Sequence, residues 1–245
     1  MLLIDKISII KPYSPEWFNG RLWKITASKI GLLMSEKSHE GKFTQNAKTL
    51  IRKLVHEIKT GKQADDEFFN DDVNWGNAHE PEMIKHYEQQ YQKTVYRDIE
   101  TGATHKLLIQ DEYCACTPDA LITNTTDINK VFDSTGTRLK ATPFEGKCPR
   151  KGHRFIELYE CNTPEDLKKA ESKYYWQMLF QMWVCESSTG VFAFYHPYYP
   201  FNERMKVINF EKVNLQQDFI NMIKTINHAK TEILKTKKIF QCQTK

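Results

Sequence analysis

The chain has no apolar run near the roughly 18 residues needed to cross a bilayer, so an integral membrane protein with helical spans is not expected. Its start, MLLIDKISIIKPYSPEW, lacks a basic region and a small-residue cleavage site, and a cytoplasmic location is expected. No C-x-x-C pair occurs among the cysteines at 114, 116, 148, 161, 185 and 242, which speaks against a zinc ribbon or a disulfide scaffold. They read as reduced thiols, mostly core filler. Internal repeats and low-complexity linkers are absent too, so the 245 residues read as one domain spanning 1–245. Neither charge sign dominates: a net charge of +4 permits a nucleic-acid partner without demanding one.

What is there is a soluble composition, 40% hydrophobic and 27% charged, with elements of both periods. Residues 44–60 place Leu50, Ile51, Leu54, Val55 and Ile58 on one helical face, with Gly61 as the stop. A second helix is expected from about Asn77, with Pro81 in its first turn and Met83, Ile84, Tyr87 and Tyr91 as its buried stripe. Glu80 falls on that stripe. There it needs a partner or a metal, unless it serves only the helix dipole. Strand-prone runs follow at 94–97, 106–110, 112–116, 119–123, 143–148, 190–196 and 205–210, and are expected to form one mixed sheet. The turn-rich stretch 123–142 reads as a hairpin excursion. Thr163 caps a long helix running through LKKAESKYYWQMLFQMWV, and a last helix covers about Leu215–Leu234, with Phe219, Met222, Ile223, Ile226 and Ile233 inside. Helices around a central mixed sheet give an α/β or α+β domain.

The run TPFEGKCPRKG at 142–152 carries Glu145 and Lys147, two apart on a strand and therefore on one face. Glu-x-Lys also occurs at Glu40, Glu57 and Glu171, so the triplet alone decides nothing. Glu57 and Glu171 fall in helical patterns and Glu40 in a loop. Asp119, in CTPDALI, opens the preceding strand. Taken singly, Thr-Pro-Asp is a turn motif. Adjacent antiparallel strands would nevertheless bring Asp119, Glu145 and Lys147 together on one face. Two carboxylates beside a lysine suit a Mg²⁺ site for phosphodiester hydrolysis, in which the ammonium offsets charge growing in the transition state. The bland alternative is a surface ion pair.

Aspartate, a gap, then Glu-x-Lys resembles the signature of the PD-(D/E)xK nuclease superfamily, and the chain resembles its lambda exonuclease and YqaJ-like viral recombinase branch. WFNGRLWKITASKIG at 17–31 is similar to that branch's N-terminal motif, and WGNAHEPE at 75–82 to its Trp-Gly-x-x-x-Glu helix. TPDAL, EGKCP and YYWQMLFQMWV at 174–184 complete five motifs in the branch's order. The resemblance implies a restriction-endonuclease-like core with a central mixed β-sheet flanked by helices. It implies Asp119, Glu145, Glu80 and the Gly146 backbone carbonyl as ligands of Mg²⁺, with Mn²⁺ substituting and two ions per site. Lys147 would assist the attacking water, and Gln177 would orient water or phosphate. Arg21 and Ser28 resemble the branch's 5′-phosphate pair. Trp17 either stacks near the DNA end or sits in the core, and Gln181 is expected to be structural. Thr117 stands where the branch often has serine, which keeps a DNA-binding hydroxyl, and Ala120 stands where it has glycine. Asp111 lies near another acidic position of the family. The basic run Arg150, Lys151, His153 and Arg154 is either a solvated loop or a phosphate track.

The implied activity is a 5′ to 3′ exonuclease on linear double-stranded DNA that leaves 3′ single-stranded tails. The implied partners are a single-strand annealing recombinase and two further copies in a homotrimeric ring, acting in the cytosol of a bacterial host, with no membrane involved. The competing readings are a relative acting on single-stranded or branched DNA, and a catalytically inactive DNA-binding relative.

Overall fold

The structure, a computed structural model, describes residues 7–8, 14–35, 42–64, 70–96, 107–125, 131 and 140–239. Most of the predicted 123–142 excursion, Glu40 and Cys242 lie outside the described residues.

Two sheets form rather than one. Strands β1 (Ile7–Ser8), β2 (Ile25–Thr26), β4 (Leu107–Asp111) and β5 (Cys114–Cys116) make the smaller, in the order β1-β4-β5-β2. The larger is β3-β6-β7-β8-β9, from Thr94–Val95, Ala120–Thr123, Thr142–Lys147, Thr189–Tyr195 and Met205–Glu211. The chain passes between sheets at Thr117–Pro118–Asp119, where Pro118 brings no N–H and ends the β5 ladder. That is why the expected single sheet divides at this point.

In the larger sheet β6 pairs antiparallel with β7, and β7 parallel with β8. The parallel link is made by three helices, α5 (Gly152–Tyr159), α6 (Pro164–Ala170) and α7 (Ser172–Val184). The helix expected to be continuous from Thr163 to Val184 is broken at Glu171, whose backbone is extended at φ −154° and ψ 75°. Its carboxylate is occupied instead by Arg154, at 2.5 Å. Thr163 caps α6 as expected, with Asp166 closing a capping box.

The strands of this sheet are covered on both faces, so β8 reads as the unbroken apolar run Gly190–Tyr195. Phe192 and Phe194 pack into the larger core with Leu179 and Met178 of α7. Val191, Ala193 and Tyr195 face the other way, toward Met83, Ile84 and Tyr87 of α4 (Asp71–Tyr91). Tyr91, expected in that stripe, is 37% exposed. Behind α7 lie α2 (Ala27–Leu33), α3 (Gln45–Thr60) and α8 (Gln216–Ile239), while α1 (Pro15–Arg21) precedes β2. Helix α3 starts at the Thr44 cap and stops at Gly61, which takes the left-handed conformation at φ 66°.

Alternation along β7 sets the chemistry. Phe144 joins the core facing α4, so Glu145 and Lys147 face α7. Gly146 returns to the α4 side, where a Cβ would collide with the Met83 sulfur. The missing side chain is what lets α4 approach the strand closely at this level.

Candidate active site

The β6–β7 register pairs Ala120 with Phe144, and one step further sets Asp119 opposite Glu145 on the same side, as the sequence predicts. Glu145 is 2% exposed on the central strand. A carboxylate there must be hydrogen-bonded. One oxygen takes bonds from the Lys147 ammonium and the Gln177 amide, and the other takes one from the Gln181 amide. Asp119 accepts from the Gly146 N–H at 2.8 Å.

The group is short of positive charge. Burial pushes the Asp119 carboxyl well above the usual aspartate range, and the Glu145 and Glu80 charges push it further than Lys147 and the Gly146 N–H bring it down. For Lys147, burial works against the ammonium, yet the Glu145 and Asp119 carboxylates outweigh it and hold its pKa above the ordinary lysine value.

Glu80 reaches this group from α4, which begins six residues earlier than expected. Asn70 is the cap, accepting from the Val73 N–H at 2.9 Å, with Asp71 and Asp72 in the first turn. Pro81 therefore stands inside the helix rather than in its first turn, and Glu80 is too far from the N-terminus to serve the dipole. Lacking an N–H, Pro81 omits the ladder bond to the Asn77 carbonyl.

A cleft of about 360 Å³ is lined by Trp17, Arg21, Ser28, Thr117, Glu80, Asp119, Glu145 and Gln177. Ser14 caps α1 and Pro15 starts it, so Trp17 and Arg21 fall one turn apart. The Arg21 guanidinium lies over the Trp17 ring at 4.2 Å and donates to the Thr117 hydroxyl at 3.4 Å. Trp17 thus lines the cleft instead of a core. Ser28 is exposed, with its hydroxyl 3.2 Å from that of Thr26.

A second cleft, of about 540 Å³, shares Asn77, Glu80 and Asp119 with the first and continues past Gly146 and Lys147 to Arg150, Lys151 and Arg154. The basic run does line a cleft, but two of its charges are engaged. Arg150 pairs with Asp72 at 2.7 Å, and Arg154 with Glu157 at 2.8 Å and with Glu171. His153 is exposed and outside the lining.

One expectation is corrected and another is sharpened. Asp111 belongs to the β4–β5 turn of the smaller sheet, where it accepts from the Tyr113 N–H at 2.8 Å and from Lys230 of α8, and it lines neither cleft. Gln181 is a structural amide, as expected: it is fully buried and donates to the inner oxygen of Glu145, while its own Oε1 has no hydrogen-bond partner among the described residues. Its signal in the sequence is a second amide one turn after Gln177 on an otherwise apolar helix. Among the other Glu-x-Lys triplets, Glu57 accepts from the Trp23 N–H at 2.7 Å and is a structural cap of that turn. The five described cysteines are free thiols, as expected.

Among the described residues no three His, Cys, Asp or Glu side chains converge tightly enough to hold an ion by themselves. The donor set still suits a hard divalent cation: carboxylate oxygens from three segments, with Asp119 pushed toward its neutral form by burial and then by the Glu145 and Glu80 charges. Mg²⁺ commonly takes one or two carboxylates and keeps several waters, so a full protein cage is not needed.

A sequence model of the YqaJ-like viral recombinase domain matches residues 16–191. The chain belongs to the YqaJ-like viral recombinase family. Comparison with curated proteins finds no match. Among solved structures the YqaJ-like chain is similar to an alkaline exonuclease from Laribacter hongkongensis, at 19% identity and a TM-score of 0.65, over 94% of this chain and 100% of that one. The same enzyme in complex with dAMP gives 20% identity, a TM-score of 0.65 and the same coverage. A phage-related exonuclease from Haemophilus somnus 129PT gives 16% identity and a TM-score of 0.58, over 91% and 96%. The fold is therefore restriction-endonuclease-like, as the motifs imply.

Because the Asp119 pKa is raised in the fold, the folded protein holds a proton there that the unfolded chain releases near pH 4. Metal-free stability falls as pH rises from about 4 through the raised value, and Asp119→Asn removes that loss. In urea titrations at pH 7 without divalent ions the variant is expected to be more stable than the parent. A variant less stable than the parent would contradict this balance of charges around Asp119. Separately, Gln181→Leu strips a donor from a buried carboxylate and is expected to cost about 1–3 kcal/mol. Strictly additive effects with Glu145→Gln in a double-mutant cycle would show that the two side chains do not act on each other.

Proposed function

We propose that this YqaJ-like chain is a Mg²⁺-dependent 5′ to 3′ exonuclease that degrades one strand of linear double-stranded DNA and leaves 3′ single-stranded tails. The observation that carries the reading is one cleft with two chemistries. Arg21, Ser28 and Thr117 offer phosphate donors, and Glu80, Asp119, Glu145 and Gln177 stand in the same cleft.

Asp119, Glu145 and Glu80, with the Gly146 carbonyl, would hold Mg²⁺ or Mn²⁺, up to two ions. When bound, the metal polarises the phosphate and makes a ligated water more acidic. The protein's own groups do the rest. Lys147, kept charged by two carboxylates, faces the cleft with its ammonium and offsets negative charge growing on the phosphoryl oxygens. Gln177 reaches from α7 with a neutral amide that orients water or phosphate without altering the charge balance. Arg21 is pre-set by the Trp17 ring beneath it and Thr117 beside it, and its fork suits a terminal phosphate. Ser28 adds a hydroxyl on the same wall. Gln181 and the Gly146 N–H fix the two carboxylates in place.

A site that clamps a terminal phosphate beside the reacting one favours ends over interior positions, which supports exonuclease action on a 5′ end. On this reading the product tails pass to a single-strand annealing recombinase, and three copies close into a ring around the DNA.

A time course on end-labelled linear duplex with Mg²⁺ tests the proposal. The parent is expected to release nucleotides from the 5′ terminus, and Lys147→Ala to slow release by a factor of about 10²–10³, the worth of one transition-state electrostatic contact. Unchanged cleavage by that variant would remove the role given to Lys147. Arg21→Ala is expected to slow digestion of 5′-phosphorylated ends more than of 5′-hydroxyl ends, and equal slowing on both would remove the anchor.

A further inference from the structure

On the far side of α2 from the carboxylates, α3 and α8 leave a second concave surface. Two adjoining clefts of about 460 and 410 Å³ share Lys42, Phe43 and His228. Lys224 enters the first from α8, and Lys48 and Arg52 enter the second from α3. All four cations, Lys42, Lys48, Arg52 and Lys224, are exposed, and none makes an ion pair with a described residue. The lining holds one carboxylate, Glu232, and it is already engaged by Lys235 at 2.8 Å. Four like charges facing one groove repel one another, and nothing in the fold requires them there. Arg150 and Arg154 beside the carboxylates, by contrast, are tied to acidic partners.

The groove offers few anchors for a docked peptide. Phe43 is buried, its ring packed against His228 at 4.7 Å, and Leu33 and Ile51 are buried too, so among the large apolar side chains of the lining only Met34 is partly open. Its exposed charged side chains are Lys42, Lys48, Arg52 and Lys224, a set that suits a phosphate backbone. Its position agrees. Ser28, in the first turn of α2, lines the carboxylate cleft, and Leu33 to Ser35 at the other end line this groove. The five steps from Ser28 to Leu33 span about 8 Å at 1.5 Å per residue. That is two to three phosphate steps of a duplex strand at about 3.4 Å each.

We propose that the groove between α3 and α8, through Lys42, Lys48, Arg52 and Lys224, binds the sugar–phosphate backbone of a DNA strand that continues past the carboxylate cleft. The choice of occupant rests on the nuclease reading. The groove's function is to hold substrate or product during successive steps, and it takes no part in hydrolysis.

The test is the salt dependence of binding, measured by fluorescence anisotropy with a labelled single-stranded oligodeoxynucleotide in EDTA, for the full chain and its Lys42→Ala/Lys48→Ala/Arg52→Ala/Lys224→Ala variant. Each lost single-strand phosphate contact lowers the slope of log K against log salt by about 0.7, so loss of four contacts is expected to lower it by about 2 to 3. Thermal unfolding matching the parent confirms that the exposed substitutions leave the fold intact. An unchanged salt slope overturns the proposal. So does an unchanged slope accompanied by lost affinity for a polyglutamate peptide, which would assign the groove to an acidic protein segment. Absence of cleavage by the parent would sink the nuclease reading while leaving the slope to decide the groove by itself.

Discussion

The buried carboxylate of Glu145, placed on the central strand of a sheet covered on both faces, is the constraint that organises this molecule. An ionised group there has lost most of its water, and only fixed donors can replace it. Those donors come from two elements, Lys147 on the same strand and Gln177 and Gln181 one turn apart on α7. Helix α7 must therefore lie on the β7 face with a set rotation, and the apolar residues around its two glutamines fix that rotation by packing. The polar contacts choose the orientation, while burial of Met178, Leu179, Phe180 and Met182 supplies most of the stabilisation.

The opposite face shows the complementary device. Gly146 presents no side chain, and α4 comes close enough for Met83 to cover the strand. Glu80, one turn before Met83, is carried by that approach to the neighbourhood of Asp119. A single residue position thus lets two carboxylates on different elements repel each other at short range. Such a site is poor for stability, and a bound cation, as in the proposed function, would relieve the repulsion.

The strand-borne half of the site was legible in the sequence because alternation and antiparallel pairing are local rules. Asp119 before one strand and Glu145 with Lys147 on the next have one natural register, and the fold adopts it. The helical half was less legible. Pro81 looks like a first-turn proline, yet Asn70, Asp71 and Asp72 form a better start upstream, and the longer helix tolerates the proline in its interior. Gln181 could be read as structural but not for its partner, because a 3.6-residue period shows that a position is buried but not what it meets, and that partner lies on β7. The break at Glu171 also has a distant cause, since Arg154 of α5 holds the carboxylate that a continuous helix would turn away. Asp111 was suggestive only through its neighbourhood in sequence; its partners in the fold, the Tyr113 N–H and Lys230, tie a turn to α8.

The distribution of positive charge follows from the same packing. Beside the carboxylates, most cations are committed: Lys147 to Glu145, Arg150 to Asp72 and Arg154 to Glu157 and Glu171. A site already rich in paired charge cannot attract a polyanion over long distances, because each pair cancels beyond about a Debye length, roughly 8–10 Å at physiological salt. Attraction must then come from cations that are not paired, and among the described residues a group of these lies along α3 and α8, on the other side of α2. On the proposed function, placing unpaired cations away from the carboxylates lets the paired ones stay committed there, while the surface as a whole, at a net charge of only +4, would still favour an anionic partner.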